Sequence, residues 1–201
     1  MKQEKITLTV GEATIKLPAA TVAQLALASV LGQITPASLP PRILPDPVMV
    51  PEIGQAWPGQ GGINGGFVPA HGDVPAHYLI FAAKDVGDCK WGGYGTESKA
   101  TSKTDGLANT DALITEGDHP AAMAARKYEA DGHKDFYLPA AAELYQGWLN
   151  CPEVFAQDRW HWSSSQRSAY FAFYMGFADG LQGLSDKGYE LRVRPVRRFF
   201  I

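Results

Sequence analysis

The sequence predicts an α+β protein in which a small N-terminal hairpin–helix unit precedes a larger domain. Three patterns support this class: strand-like alternation near both ends, alanine-rich helical segments in the middle, and several short strands after them. A hydrophobic fraction of 45% and a charged fraction of 19% are typical of folded proteins. We therefore expect an N-terminal unit at residues 1–32, a linker at 33–51 and the main domain at 52–201.

The first 32 residues predict a β-hairpin followed by a helix. Apolar and polar side chains alternate along residues 5–17, which is typical of two short strands. Residues 19–31 have helical spacing, with Thr21 as the expected N-cap and Gly32 as the end. So short a unit buries too little apolar surface to be stable alone. We expect it to pack against copies of itself, with a trimer as one arrangement, or against a larger assembly.

Proline dominates the segment between the two parts. The six prolines of residues 33–51 favour an extended spacer, and an ordered strap lying on the next domain fits the same composition. The N-terminus lacks the apolar core of a signal peptide, and no apolar run is long enough to span a bilayer. We therefore expect a protein that is made in a cytoplasm without membrane insertion. If it is used outside the cell, as on a virion, it has to leave by another route such as cell lysis.

The main domain begins with a glycine-rich stretch and a buried strand. Residues 57–66 lack the GK[ST] motif of a phosphate loop, so their glycines are expected to allow tight turns and close backbone approach. The apolar run 77–83 predicts a buried strand. Residues 96–118 are polar and predict a long surface loop, with a turn at Asp105 and Gly106.

Two helices are predicted in the middle of the domain. The first is expected to start at an Asp118 cap, to carry Pro120 in its first turn and to end near Gly132. The second is expected to run from about Ala140 to Leu149 and to direct an apolar face toward the core. Helices followed by short strands are the pattern of an α+β domain.

The C-terminal run supplies the strands and the candidate contact surface. Alternation along residues 170–177 predicts a strand with one bulky apolar face and one face that carries two tyrosines. Tyr174 is the better contact candidate, and Trp160 fits either a core or a surface position. Residues 191–196 alternate in the same way and predict the last strand. The side chains predicted for the core are Trp162, Phe173, Met175 and Phe177.

The sequence carries no pattern that predicts catalysis, a metal site or nucleic-acid binding. Serines 163–165 lie near His161, but the spacing indicates no second base or orienting acid and there is no G-x-S-x-G elbow, so the serines are expected to make turn and sheet hydrogen bonds. The histidines and the loop aspartates lack metal-ligand spacing. The arginines of residues 192–198 are expected on a solvated face or paired with carboxylates. Cys89 and Cys151 could form a disulfide or remain free thiols.

An ordered set of short motifs resembles a known family. The motifs are Trp91-Gly92-Gly93-Tyr94-Gly95, Asp105 to Thr110, Ala121-Ala122, Gly132 followed by Asp135 to Pro139, Glu143-Leu144, Trp162 to Ser165, Ala172 to Phe177, and Arg192 to Arg197. In this order they resemble the Lcl C-terminal domain family of bacterial surface, phage and prophage proteins, over roughly residues 52–201. The chain departs from the family pattern at Ala140, where a hydroxyl residue often follows Leu-Pro.

The resemblance implies a C-type-lectin-like fold, with two helices beside a twisted, mostly antiparallel sheet and long loops. In the wider superfamily this fold binds ligands through its late strands and loops, and phage relatives lie on tails or fibres, but the resemblance does not supply a ligand. Our first hypothesis is a non-catalytic module on a phage or prophage tail or other virion surface, which binds a host-surface glycan or protein. Two alternatives stay open: a structural or decorating virion protein that contacts neighbouring subunits, and a variable protein of a diversity-generating retroelement. Candidate ligand-binding residues are Trp160, Arg167, Tyr170, Tyr174, Gln182 and Tyr189. No catalytic residue, metal or cofactor is predicted.

Overall fold

The computed structural model describes residues 5–10, 13–24, 26 and 49–201, and its contacts divide the chain into the units Met1–Val48 and Met49–Ile201. In the first unit, β1 (Lys5–Val10) pairs antiparallel with β2 (Ala13–Pro18), as the alternation predicted. Residues 19–24 and 26 are helical, so the helix begins before Thr21, which is not its cap. The rest of this predicted helix and most of the linker lie outside the described residues.

The second unit contains two sheets and three α-helices in its described residues, so the predicted α+β class is confirmed. The strands are β3 (Ala56–Trp57), β4 (Gly62–Val68), β5 (His77–Ala82), β6 (Asp88–Lys90), β7 (Trp160–Gln166), β8 (Phe171–Gly176), β9 (Gln182–Asp186), β10 (Glu190–Arg192) and β11 (Val196–Phe200). The first sheet has the order β11-β5-β4-β3 and is antiparallel. The second sheet has the order β6-β10-β7-β8-β9, with a parallel contact only between β10 and β7. The helices are α1 (Gly106–Glu116), α2 (Pro120–Arg126) and α3 (Ala141–Asn150), and a 3₁₀ turn follows at Pro152–Val154.

Strand β8 lies between two apolar clusters and contributes to both. Ala172 packs in one cluster with Trp91 and Trp162, and Met175 and Phe177 pack in the other. Both faces of β8 are therefore largely covered, because successive side chains point to opposite sides of a strand. Of the predicted core residues, Trp162, Met175 and Phe177 are buried and Phe173 is half-buried. Phe171, which alternation places on the same apolar face, is 43% exposed at the start of the strand.

The segment predicted as a long loop contains helix α1, so that prediction was wrong. Asp105 is its N-cap, and its carboxylate accepts a hydrogen bond from the Ala108 backbone N–H. Asn109 and Thr110 have low helix propensity, so the sequence did not predict a helix in this segment. Both are buried here because their side chains bond to neighbouring loops, Thr110 to the Leu138 carbonyl and Asn109 to the Ser102 carbonyl.

The other two helices were predicted with different accuracy. Helix α3 occupies almost the predicted range, and Glu143 supplies the cap bond by accepting from the Ala140 N–H at 2.8 Å. Helix α2 is shorter than predicted and ends at Arg126. Asp118 is not its cap, because that residue has a φ of 52° and His119 occupies the N-cap position.

The last predicted strand is two strands in different sheets. Strand β10 ends at Arg192 and β11 begins at Val196, and the residues between them cross from one sheet to the other. Pro195 lies at the crossing, since it has no N–H to donate to a strand ladder. Its carbonyl still accepts a bond from Ala82 at 2.8 Å, which ties the crossing to β5.

The C-terminal arginines are paired with carboxylates. Arg194 bonds Asp85, Arg197 bonds Asp135 and Arg192 lies 3.2 Å from Asp88. Their predicted pairing is confirmed, and three of the four arginines are buried rather than on a solvated face: Arg194, Arg197 and Arg198.

Arg198 lies at the centre of a buried hydrogen-bonded network that includes Glu143 of α3. Its Nη2 donates to Glu143 and to Asp105, both at 2.9 Å, and the Tyr137 hydroxyl donates to Glu143 at 2.8 Å. Burial raises the pKa of Glu143, and the nearby Arg198 charge opposes that shift. The network joins the last strand to the start of the last helix.

Two buried histidines should make the protein less stable in mild acid. Burial lowers the pKa of both His77 and His119 in the folded state. The unfolded chain therefore takes up protons at about pH 6.5 before the folded protein does, and the free energy of unfolding should fall as the pH drops below that value. Urea unfolding at pH 7.5 and 5.5 tests this expectation. The loss should be smaller in His119→Gln, and equal stability of the parent at both pH values would contradict it.

Candidate binding site on the second sheet

An exposed aromatic pair lies on one face of the second sheet, at the end where β7 begins and β8 ends. Trp160 begins β7 and Tyr174 lies in β8, and their rings stack with centroids 4.9 Å apart and an interplanar angle of 26°. Both side chains point to the same face, because Trp160 stands opposite Gly176 and Trp162 stands opposite Tyr174. Trp160 is 51% exposed and Tyr174 is half-buried. We call this pair the aromatic platform.

Two glycines make room for the platform. A Cβ atom at Gly183, which stands opposite Tyr174 in β9, would lie 2.5 Å from the tyrosine ring. A Cβ atom at Gly176 would lie 3.3 Å from Trp160. The tyrosine ring therefore packs against the backbone of one strand and the tryptophan of another, which fixes the orientation of the exposed indole.

Charged side chains line a cavity beside the indole. The cavity measures about 240 Å³, and Trp160 forms one of its walls. Two ion pairs lie at its edge, Arg192 with Asp88 at 3.2 Å and Arg159 with Asp158 at 3.8 Å. The remaining lining residues are Glu190 and Leu191. The site thus combines one large aromatic ring with hydrogen-bonding groups of both signs.

The other predicted contact residues lie at different places. Arg167 and Tyr170 are exposed in the turn between β7 and β8, at the far end of these strands from Trp160. Tyr189 is 67% exposed in the turn between β9 and β10. Gln182 stands opposite Met175 and donates to the Ala141 carbonyl at 2.9 Å, so it faces α3 on the opposite side of the sheet. The six candidates therefore do not form one surface.

Tyr94 was not among the predicted contacts, although it forms a second exposed aromatic pair. Its ring lies 5.2 Å from the ring of Tyr170 in an edge-to-face arrangement, and the two side chains are 58% and 50% exposed. The turn that carries Tyr189 is anchored nearby by the buried Lys187 amine, which donates to the Thr96 carbonyl at 2.9 Å. The Trp-Gly-Gly-Tyr-Gly motif contained the only sequence indication of this pair.

The serines considered for catalysis make structural hydrogen bonds. The Ser163 hydroxyl donates to the Phe173 carbonyl and the Ser165 hydroxyl to the Ser102 carbonyl, as predicted for sheet and turn bonds. Cys89 and Cys151 are free thiols, and burial raises the pKa of Cys151 to about 12. Within residues 5–10, 13–24, 26 and 49–201, no group of three or more His, Cys, Asp or Glu side chains could hold a metal ion. No helix in the same residues is long and apolar enough to cross a membrane.

No protein-family model matches the chain, and no curated protein is significantly similar to it. The Lcl C-terminal domain resemblance therefore stays a prediction that rests on the quoted motifs. The platform must be interpreted from its own geometry.

Gly183→Ala should displace the Tyr174 ring and loosen the platform. The new methyl group would overlap the far end of a half-buried ring, so we expect the ring to move at a cost of about 1 kcal/mol in the free energy of unfolding. The Trp160 indole N–H resonance should shift in an NMR spectrum of the variant. Gly188→Ala, in the following turn, is the control and should leave this resonance in place. An unchanged Trp160 resonance in Gly183→Ala would show that the stack does not depend on this glycine.

Proposed function

We propose that this protein is a non-catalytic binding module with a C-type-lectin-like fold. It acts on a virion surface, on a phage or prophage tail or an equivalent position. It recognises a host-surface glycan or protein, and the aromatic platform is the centre of the contact. Residues 1–32 attach the module to other virion proteins or to further copies of the chain.

The architecture supports the fold part of the proposal. The last strand, β11, pairs antiparallel with β5, and the helices α1 and α3 lie beside mostly antiparallel strands. Long connections without strands or α-helices occur at residues 91–105 and 127–140. A mostly antiparallel sheet core beside helices, with long loops, is what the motif order leads one to expect.

The observation that carries the functional part is the exposure of Trp160 in a fixed orientation. An indole that is 51% exposed leaves part of a large apolar ring in water, and tryptophan is enriched at interfaces, where one end of the ring is apolar and the other is hydrated. Because its stack on Tyr174 already restricts the ring, little conformational entropy remains to be lost on binding. Tryptophan and arginine are also enriched among the residues that dominate binding energy, and Arg159 and Arg192 line the adjoining cavity.

Binding to intact bacteria tests the proposal. Fluorescently labelled full-length protein is titrated onto a broad panel of bacterial strains, and the cell-bound fraction is measured by flow cytometry. Saturable binding to at least one strain supports recognition of a host surface. Absence of saturable binding on every strain, together with stable incorporation of the chain into virus particles, would overturn it and favour a decorating role.

A further inference from the structure

Strand β9 is an open edge of the second sheet. It stands last in the strand order and pairs with β8, so its other side has no neighbouring strand in the part of the chain that the structure describes. Open edges pair readily with other strands, and proteins usually protect them with lysine, proline, a bulge or a very short strand. β9 has five residues without lysine or proline, its only charge is at its end in Asp186, and its register with β8 has no bulge.

The other edge strands of the second unit are protected within its described residues. β11 carries Arg197 and Arg198, and the Tyr137 backbone bonds to Val196 on the side that faces away from β5. β3 has only two residues, and β6 has three, of which two are charged. The edge of β9 is therefore the one that is best suited to pair with another strand.

The hydrogen bonds to β8 determine which backbone groups of β9 point outward. The Leu181 carbonyl accepts from the Gly176 N–H at 2.9 Å. The Lys187 N–H donates to the Tyr170 carbonyl at 3.0 Å. Antiparallel strands exchange these bonds at alternate residues, so β9 bonds to β8 through its odd-numbered positions. The backbone groups at positions 182, 184 and 186 therefore point away from β8.

A second copy of β9 can pair with all three outward positions in one register. The two strands run antiparallel, with Leu184 opposite Leu184 of the second copy and Gln182 opposite Asp186. The Leu184 pair exchanges two backbone hydrogen bonds. Each pair of Gln182 with Asp186 adds one bond, because the Asp186 carbonyl already accepts from the Tyr189 N–H at 3.0 Å.

The side chains along this edge also match a second copy. Leu184 stands opposite Phe173 of β8, so the two side chains share one face of the sheet. Asp186 stands opposite Phe171 on the same face. Leu184 is 47% exposed, and Phe171 is exposed beside it, so the pairing brings two apolar patches together across the axis.

The polar side chains at the two ends of β9 are complementary in the same register. The Gln182 amide can donate to the Asp186 carboxylate of the second copy, which stands opposite it. The two Asp186 side chains lie about 14 Å apart along the strands, because four residues separate them, so like charges do not meet.

We propose that β9 pairs antiparallel with β9 of a second copy of this chain, with Leu184 on the two-fold axis. The pairing joins two copies of the second sheet into one continuous sheet and does not depend on the proposed function. If that function holds, the dimer is bivalent: the axis is perpendicular to the sheet, so both aromatic platforms lie on the same face and can contact one cell surface together.

Sedimentation velocity of the full-length protein tests the pairing. Leu184→Lys puts two like charges opposite each other on the axis at an exposed position, so this variant should have half the mass of the parent complex. Leu149→Lys changes a leucine of α3 that is 54% exposed, and this matched control should keep the mass of the parent. Circular dichroism checks the fold of both variants. Equal masses of the parent and Leu184→Lys would overturn the proposal, whether both are monomers or both assemble through residues 1–32.

Covalent capture through Leu184→Cys tests the register without adding a charge. In the proposed pair the two Cα atoms at position 184 lie about 5.5 Å apart, which is within the range of a disulfide. Mild oxidation should form a covalent dimer at least about tenfold faster than in Leu149→Cys, because pairing holds the two thiols at a high effective concentration. The parent, oxidised in parallel, gives the background from Cys89. Equal rates in the two variants would rule out Leu184 on the axis. Cell binding is measured separately, so either proposal can fail while the other stands.

Discussion

Replacing Trp160 with alanine should reduce the affinity for bacterial cells by about thirtyfold or more. The indole is the largest exposed ring of the platform, and residues of this type at the centre of a contact contribute about 2 kcal/mol or more to binding. Trp160 begins its strand and is half exposed, so its removal should leave folding intact. Flow cytometry of the labelled variant on a strain that binds the parent measures the effect, and circular dichroism checks the fold.

A second stacked pair supplies the control for this experiment. Tyr145 and Trp148 stack on α3 with centroids 5.7 Å apart, and Tyr145 is 43% exposed. Tyr145→Ala removes a similar exposed ring from the other side of the domain, so it should bind cells like the parent. If Trp160→Ala also binds like the parent, the platform is not the contact surface. If Trp160→Ala and Tyr145→Ala lose binding equally, the loss is not specific to the platform.

Arg198→Met should be the most destabilising of the substitutions considered, at about 3–5 kcal/mol. The change leaves Glu143 buried at 5% exposure without its cation, and an uncompensated buried charge is costly. The cost should shrink as the pH falls from 7.5 to 5, because protonation of Glu143, whose pKa burial already raises, removes the charge. Urea unfolding monitored by tryptophan fluorescence at both pH values measures the effect.

Two further variants test whether the loss of stability comes from the buried, unpaired charge of Glu143 rather than from the loss of an ion pair in general. Lys134→Met breaks the exposed pair with Glu129 and should change the free energy of unfolding by about 0.5 kcal/mol at most. Adding Glu143→Gln to Arg198→Met removes the stranded charge and should restore part of the lost stability. A double variant no more stable than Arg198→Met at pH 7.5 would contradict the role assigned to the Glu143 charge.

Local patterns predicted the parts of the fold that depend on nearest neighbours along the chain. Alternation predicted the N-terminal hairpin, a continuous apolar run predicted β5, and helical spacing predicted α3. Helix α1 was missed because Asn109 and Thr110 are poor helix formers and are held by bonds to distant loops. The last strand was predicted as one because alternation continues past Arg192, whereas the sheet change at Pro195 depends on contacts with β5.

The sequence predicted residues that belong to the candidate site, but it did not predict how they are arranged. Tyr174 and Trp160 were both named, yet their stack depends on the register of β7 with β8 and on the missing side chain at Gly183. Alternation also assigned Tyr170 to the Tyr174 face, although its ring pairs with Tyr94 at the other end of the strands. Period-two patterns give the face of a strand, and only long-range pairing gives the neighbours on that face.

Oxidative footprinting of the protein on bacterial cells tests the central claim most directly. Labelling by hydroxyl radicals is compared for free and cell-bound full-length protein, with Tyr145 as the internal reference. The proposed function predicts strong protection of Trp160 and Tyr174 on cells and unchanged labelling of Tyr145. Equal labelling of Trp160 in the free and bound protein, at a cell concentration that binds most of the chain, would contradict it.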